Sequence, residues 1–258
     1  MKTRHLAWLL LAATGMVQAD SSSGAPLQGT WDVVRVAVDP ADQPRWTWRP
    51  DDPRLLGREL VIAADALRLD GDSARCVAPR WTQQPGTWAA LLRDSFPRPP
   101  APGRAAAPRP ADLGLAVGIA DPLQLQRPTC NADAGGRIVA PWDATWLVQT
   151  GPDRLLLRHG QALLHLARRS ANAAPRASFS CAAAASASEK TLCGSVALAA
   201  WDRSVAQAWR EARQRRGDDL ARLQTEQRAW LQQRNACAAD AACLHDRMQE
   251  RVDALAQE

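Results

Sequence analysis

Apolar and polar residues alternate along much of the first two thirds of the chain, with the period of two that is typical of β-strands. In the stretch Trp31–Val38 this alternation places Val34, Val36 and Val38 on one side of the pleat. Further short strands are predicted at residues 59–63, 66–70, 123–126, 145–150, 154–158 and 162–166. Turn sequences separate the last three, so they are expected to form an antiparallel meander.

A proline-rich segment interrupts this strand pattern near residues 96–112. Such a segment forms neither a helix nor a strand ladder, so an exposed loop is predicted there. Cys76 and Cys130 lie on either side of it, and a disulfide between them would stabilise the fold by about 4 kcal/mol in the chain-entropy model. Residues 27–168 are therefore interpreted as one β-rich domain, an antiparallel barrel or sandwich that carries a long insert.

After a linker at residues 169–177 the hydrophobic period changes to 3.6, which predicts a helical domain at 178–258. Ser186 and Glu189 fit a capping box that opens a short helix. Two helices of about 20 residues each are then predicted on either side of Gly217, and a third begins near residue 241. The two long helices are expected to form an antiparallel hairpin. The complete chain is thus predicted to be an α+β protein of two domains.

One face of the second long helix carries Gln227, Trp230, Leu231 and Arg234 at i, i+3, i+4 and i+7. The apolar members are expected to pack on the first helix. Folding the hairpin about Gly217 brings residue 202 opposite residue 234, which predicts an ion pair between Asp202 and Arg234. We interpret these residues as structural, a partly buried pair and its packing that set the register of the hairpin.

The cysteine count is even, which in an exported chain predicts disulfides. The cysteines are Cys76, Cys130, Cys181, Cys193, Cys237 and Cys243. Their spacing, with no close Cys-x-x-Cys pair, excludes a zinc site. The four in the helical domain allow three pairings. The hairpin geometry favours a bridge from Cys193 across to Cys237 or Cys243, with Cys181 taking the remaining one.

Residues 1–19 have the features of a secretory signal peptide. Lys2 and Arg4 give a positive start, an apolar stretch follows, and Val17-Gln18-Ala19 is a small-residue cleavage site. The stretch is too short and too weakly apolar to span a membrane, and no later segment is apolar enough. The mature protein is therefore predicted to be periplasmic or secreted and not membrane-spanning.

The net charge of +5 falls to +3 once Lys2 and Arg4 leave with the signal peptide. Residues 176–258 hold 12 basic and 11 acidic side chains, interleaved along the sequence. Nucleic-acid binding needs a patch of one sign, so a nucleic-acid partner is excluded.

The N-terminal domain begins with Gly29-Thr30-Trp31 and its closing meander ends in Arg168 and Arg169. In this respect it resembles a lipocalin-like barrel. The resemblance implies that Trp31 on the first strand closes one end of the barrel beneath an arginine that follows the last strand. A barrel interior can be filled by side chains or hold a small apolar ligand, and the sequence leaves both open.

Short motifs follow one another through residues 178–256. In chain order they are Phe179–Cys181, Glu189–Cys193, Leu198–Arg203, Gln227–Leu231, Arg234–Cys237 and Cys243–Leu244. Together they resemble the LprI-type lysozyme-inhibitor N-terminal domain family, which consists of small exported helical domains. Two positions depart from the family pattern. Trp201 replaces a usually aliphatic residue before the aspartate, and Trp209 stands where tyrosine is usual.

The resemblance implies a non-catalytic exported binding protein that inhibits a lysozyme. Because the helical domain is nearly neutral, inhibition would depend on local contacts, such as the acids Asp218 and Asp219 or the loop of the 240s. The alternative is an envelope structural or interaction module. Such a module would bind another periplasmic protein, peptidoglycan or, in the β domain, a small apolar ligand.

An enzyme is not expected. His159 and His165 flank a turn of the meander, and His245 lies beside Asp246 in a predicted helix. No nucleophile elbow, HExxH sequence or paired-carboxylate motif accompanies them. Cysteines that are all in disulfides offer no thiolate nucleophile. No cofactor and no metal are predicted.

Overall fold

The computed structural model describes residues 27–45, 47–71, 75–131, 142–215 and 219–257. The predicted signal peptide, Gly217 and Asp218 lie outside these ranges. Among the described helices, none is both long and apolar enough to cross a membrane.

Residues 29–168 form a closed antiparallel barrel in which each strand pairs with the next and the last pairs with the first. The strands are β1 (Gly29–Val38), β2 (Glu59–Ile62), β3 (Ala66–Leu69), β4 (Arg75–Thr87), β5 (Pro122–Asn131), β6 (Leu147–Gly151), β7 (Arg154–His159) and β8 (Ala162–Arg168). The α+β class is confirmed, and of the two architectures predicted for the N-terminal part, the structure has the barrel.

Every strand contributes at least one apolar residue to one buried cluster, which therefore lies inside the barrel. Trp31, Leu60, Leu67 and Leu157 are fully buried members of it. Side chains thus fill the described part of the barrel interior. A second cluster covers the outside of β6 to β8, where helix α1 (Trp88–Ser95) packs.

The predicted alternation along β1 is wrong at Val34. Val36 and Val38 are in the interior cluster, but so is Val33, whereas Val34 is 49% exposed. The pairing of β1 with β8 shifts register between Val33 and Arg35. A β-bulge of this kind places one extra residue in the strand, and here it turns the Val34 side chain away from the core.

Strand β4 and helix α1 were not predicted, because Pro79 and Pro85 interrupt the pattern between residues 75 and 87. From Arg80 onwards β4 pairs only with β5, so it is an edge there, and an edge strand tolerates proline. A disulfide joins Cys76 to Cys130, the pairing that the insert suggests. The insert is exposed over most of its length but is held to the barrel by the buried ion pair of Arg98 with Asp39.

The C-terminal part contains four helices: α2 (Ala187–Gly194), α3 (Val196–Arg215), α4 (Leu220–Ala236) and α5 (Ala241–Gln257). The Arg215 side chain donates to the Leu255 carbonyl, and Trp201 contacts His245, so α3 and α5 run side by side in the same direction. Helix α4 runs antiparallel to both. The third predicted helix, α5, therefore supplies much of the packing that the sequence analysis assigned to a two-helix hairpin.

The predicted disulfide across the hairpin is wrong. Cys193 pairs with Cys181, and Cys237 pairs with Cys243. The Glu189 carboxylate accepts from the backbone N–H groups of Ala185 and Ser186, which turns the preceding segment back along α2. The Cα atoms of Cys181 and Cys193 consequently lie 5.7 Å apart, within the reach of a disulfide.

The second bridge closes the tight turn between α4 and α5. Ala238 adopts a left-handed conformation there, with φ of 50°. The Asp240 carboxylate accepts from the N–H groups of Ala242 and Cys243 and so caps α5. These features bring Cys243 back beside Cys237, with 5.6 Å between the Cα atoms. Each of these two disulfides thus closes a local turn of the helical part, and neither joins α3 to α4.

Candidate functional site

The Asp202 and Arg234 side chains face each other across α3 and α4. The shortest distance between the guanidinium and the carboxylate is 3.6 Å, and the two side chains are only 6% and 9% exposed. The other Asp202 oxygen accepts from the Ser178 N–H. Burial lowers the pKa of Arg234, although the charges of Asp202 and Glu189 act in the opposite direction. The arrangement holds α4, α3 and the segment before α2 together.

The other predicted members of this face make contacts with α5. The Trp230 Nε1 donates to the Arg247 carbonyl at 3.1 Å, and Gln227 accepts from Arg251 at 2.9 Å. Leu231 packs half-buried against the helical core. The sequence pattern predicts that Trp230 and Leu231 pack on the first long helix, and the contacts with α5 were not part of that prediction. A structural role for the whole face stays a prediction.

Arg234 also orients its neighbour Asn235, which is exposed. The Nε and Nη2 atoms of Arg234 donate to Asn235 Oδ1 at 3.2 and 2.8 Å. With the amide oxygen engaged, the amide NH2 group has no partner among the described residues and remains available as a donor. Asn235 lies next to the stapled turn, where residues 238–242 are all exposed. This corner of the helical part is exposed, and the Cys237–Cys243 disulfide cross-links its turn.

Trp31 is completely buried near the end of the barrel, and the Arg168 guanidinium lies 4.0 Å from the centre of its ring. The Trp31 Nε1 donates to the Leu27 carbonyl, while Arg168 donates to the Gln28 carbonyl. The residues before β1 and at the end of β8 are joined by these contacts. Trp31 is therefore placed to anchor the closure of the barrel.

The junction between the barrel and the helices is built around Trp201, which is 1% exposed. Its Nε1 donates to Asp70 at 3.0 Å, and the Arg58 guanidinium stacks 3.3 Å from its ring centre. Gly57 and Gly71, both with positive φ, allow α3 to approach, because a Cβ at Gly71 would lie only 3.3 Å from the Trp201 ring. Sequence reasoning missed this junction.

Arg58 is fully buried beneath Trp201. Its Nη2 donates to the Ser204 hydroxyl at 2.8 Å, but Nε and Nη1 have no partner within the described ranges. Burial lowers the pKa of Arg58 to about 9, although the nearby Asp70 charge opposes this effect. A buried guanidinium of this kind makes the junction sensitive to any loss of Trp201 or Asp70.

Asp70 also accepts from the Nε2 of His245, at 2.9 Å, and His245 in turn contacts the edge of Trp201. The hydrogen bond to Asp70 raises the pKa of His245 above its usual value, against the opposing effect of burial. Burial alone would raise the pKa of Asp70, but the bond from His245 and the charge of Arg58 lower it. A hydrogen bond between Asp70 and His245 thus connects α5 to the barrel.

This pair predicts a pH dependence of the junction between the barrel and the helices. Because the pKa of His245 is raised on folding, its contribution to stability is fully present below pH 6.5 and is lost as the pH rises through the raised pKa. We expect His245→Gln to reduce the urea midpoint at pH 5.5 and to have a smaller effect at pH 8.5. An equal effect at the two values would contradict the pairing. Arg228→Gln, a change at an exposed position of α4, serves as the control.

The other two histidines within the described residues, His159 and His165, make packing contacts or hydrogen bonds in the barrel part. His159 is 5% exposed and lies against Trp48, and burial lowers its pKa to about 4. His165 bonds the Leu113 carbonyl through Nε2, and burial lowers its pKa as well. Within the described residues, no group of three His, Cys, Asp or Glu side chains is placed to hold a metal.

Comparison with known proteins identifies the C-terminal part. The family described as Lysozyme inhibitor LprI matches residues 181–255, which confirms the resemblance of this part of the chain. The match runs from the first cysteine of the helical part almost to the end of α5, so it includes both local disulfides and the Asp202–Arg234 pair. No curated protein and no solved structure matches the chain.

Proposed function

We propose that the chain is an exported, non-catalytic binding protein whose helical part inhibits a lysozyme. The observation that carries this proposal is the match of residues 181–255 to a lysozyme-inhibitor family. Supporting it, the residues that carry the family pattern form disulfides, an ion pair and packing contacts. Such residues build a stable surface and are not arranged for a reaction. The three disulfides suit an oxidising compartment, which agrees with export.

The corner formed by Asn235 and the stapled α4–α5 turn is the surface that we assign to inhibition. Retaining glycosidases place two carboxyl groups about 5–5.5 Å apart at the bottom of a cleft. An exposed, cross-linked turn can bind in a cleft with little loss of conformational entropy. The Asn235 NH2 group, fixed by Arg234, supplies a hydrogen-bond donor for such a carboxylate.

The acids considered from the sequence are less suited to this role. Asp219 is paired with Arg222 at 2.7 Å, and Asp240 is engaged in capping α5. Asp218 lies outside the described residues. Acidic groups would also repel the carboxylates of the enzyme, whereas an amide donor does not.

A lysozyme lysis assay with the purified chain tests the proposal. We expect saturable inhibition and a loss of about tenfold or more in inhibitory potency for Asn235→Asp, the amount expected for a hydrogen bond to a charged group. Asn235→Asp keeps the acceptor that Arg234 uses, so the fold is retained. Asn172→Asp, in the exposed segment after the barrel, is the matched control and should inhibit normally.

Absence of inhibition at a large excess of the chain would remove the proposal. Normal inhibition by Asn235→Asp would keep the inhibitor function but reject this surface. Capture of a different envelope protein or of peptidoglycan, without lysozyme binding, would favour the interaction-module alternative.

For the N-terminal part we propose a lipocalin-like barrel. The supporting observations are the single up-and-down order of the eight strands and the position of Trp31 beneath Arg168. In this interpretation the barrel is a structural scaffold for the inhibitory helices, since side chains fill its described interior.

A further inference from the structure

An open groove of about 500 Å³ lies between the barrel and α3. The β1 bulge contributes Val33 and Val34 to the lining of the groove, and the connection from β1 to β2 contributes Leu56. Helix α3 contributes Ala200 and Ala206 from the opposite side. Ligand sites in proteins are often found at junctions between domains and have volumes of this order.

The apolar surface of the groove is aliphatic. Val34 leaves the barrel core because of the bulge and is one of the few large apolar side chains among the described residues that are substantially exposed. Gly57 lies close to Ala200, since a methyl group in place of its hydrogen would be 3.5 Å from the Ala200 Cβ atom. The barrel and the helix therefore form a continuous floor. No aromatic ring lines the described groove, which favours a flexible chain over a flat ring.

The charged residues that line the groove are both cationic, Arg203 and Arg210. Burial lowers the pKa of Arg203, although Asp202 and Asp32 act in the opposite direction. Those two acids are already engaged, Asp202 with Arg234 and Asp32 with Arg169. Within the described ranges no carboxylate lies within ion-pair distance of the Arg210 guanidinium, so the groove carries positive charge that the described residues leave unbalanced.

Arg203 is held in place by the chain. Its Nη1 donates to the carbonyls of Arg176 and Ala199, which fixes the guanidinium between the linker and α3. Its Nη2 lies close to Gly57 of the barrel, 3.9 Å from the position that a Cβ atom would have there. Ser204 and Gln207 add polar groups along the same side of the groove. One rim is therefore cationic and polar, whereas the floor is aliphatic.

We propose that this groove binds an aliphatic-chain carboxylate, with the chain on the floor of Val34, Leu56 and Ala200 and the carboxylate at Arg203 and Arg210. Guanidinium groups pair with carboxylates through charge-assisted hydrogen bonds, and an aliphatic chain is stabilised by removal of its methylenes from water. This site is separate from the Asn235 corner and does not depend on the lysozyme proposal.

Calorimetric titration of the full chain with monomeric sodium decanoate tests the proposal. We expect saturable binding of one decanoate per chain, with octanoate roughly tenfold weaker because two methylenes are lost. Decanol, which lacks the charge, should bind at least tenfold more weakly than decanoate. Arg210→Gln should weaken decanoate binding about tenfold, since a charge-assisted hydrogen bond is lost.

Arg213→Gln is the matched control, because Arg213 is an exposed arginine of the same helix that does not line the groove. It should bind decanoate normally. Equal binding of decanol and decanoate, no binding of decanoate, or normal binding by Arg210→Gln would each overturn the proposal. If the chain binds anionic phospholipid vesicles but not monomeric decanoate, the cationic residues serve to bind a membrane surface. That result would also overturn the proposal. Lysozyme inhibition, measured separately, should be the same for Arg210→Gln and the unmodified chain.

Discussion

Arg234→Ala is expected to destabilise the helical part by about 3–5 kcal/mol, because it leaves the Asp202 carboxylate buried without its counter-charge. The Ser178 N–H still donates to Asp202 in the variant, but one neutral donor does not replace a guanidinium. Arg234 also supports Trp230, whose ring centre lies 5.6 Å from the guanidinium carbon. The measurement is urea unfolding followed by helical circular dichroism.

Arg228→Ala is the control for this experiment, because Arg228 is exposed on the same helix and its described bond is to the Thr225 hydroxyl. It should leave the midpoint nearly unchanged. The double variant Arg234→Gln with Asp202→Asn should recover much of the lost stability, since no buried charge remains. If Arg234→Ala has the same urea midpoint as the unmodified chain, the pair has no structural role and our prediction is wrong. Loss of lysozyme binding at unchanged stability would assign Arg234 to the contact surface.

Trp201→Ala is expected to have a comparably large effect on the junction between the barrel and the helices. Removal of a fully buried tryptophan side chain costs about 3–5 kcal/mol from lost burial and the cavity left behind. The Asp70 carboxylate loses a donor, and the Arg58 guanidinium loses the ring on which it stacks. We therefore expect the helical part to detach from the barrel more readily while each part remains folded.

Limited proteolysis near residues 169–177 measures this effect, with small-angle X-ray scattering as a second observable. Cleavage should be faster for Trp201→Ala, and the radius of gyration should increase. Trp209→Ala removes a partly exposed tryptophan from the same helix and is the matched control. Equal cleavage rates for the three chains would show that Trp201 does not hold the domains together.

Regular hydrophobic periods made most of the fold predictable. The period of two located seven of the eight strands, and the change to 3.6 located the helical part. The prediction failed at β4, because its prolines lie on an edge and its side chains are largely exposed, so it has little alternation to detect. It also failed at Val34, since a bulge shifts the pattern by one residue and leaves no mark in the sequence.

The disulfide pairing was mispredicted for a different reason. A simple hairpin places α3 and α4 together as one packed pair, whereas in the structure α5 packs beside α3. Helix α5 also accepts a hydrogen bond from Trp230 and donates one to Gln227. The segment before α2 and the turn before α5 each place two cysteines that are close in sequence within the Cα–Cα distance of a disulfide.

The junction between the barrel and the helices was not predicted, because in the sequence its polar residues look like residues exposed to solvent. Arg58 and Asp70 follow strands or turns in which such residues are common. The available indication was Trp201, a tryptophan where the family pattern usually has an aliphatic residue. In the structure this side chain reaches beyond the helical part to the barrel, which gives a physical reason for the departure.

In the proposed mode of inhibition the helical part occupies the substrate cleft of a lysozyme, and a competition titration tests this. The purified chain is titrated calorimetrically into lysozyme, alone and with the cleft filled by a chitin trisaccharide. We predict saturable binding of one chain per lysozyme, weakened in proportion to the occupancy of the cleft by the trisaccharide. Absence of binding, or binding that the trisaccharide leaves unchanged, would contradict the account.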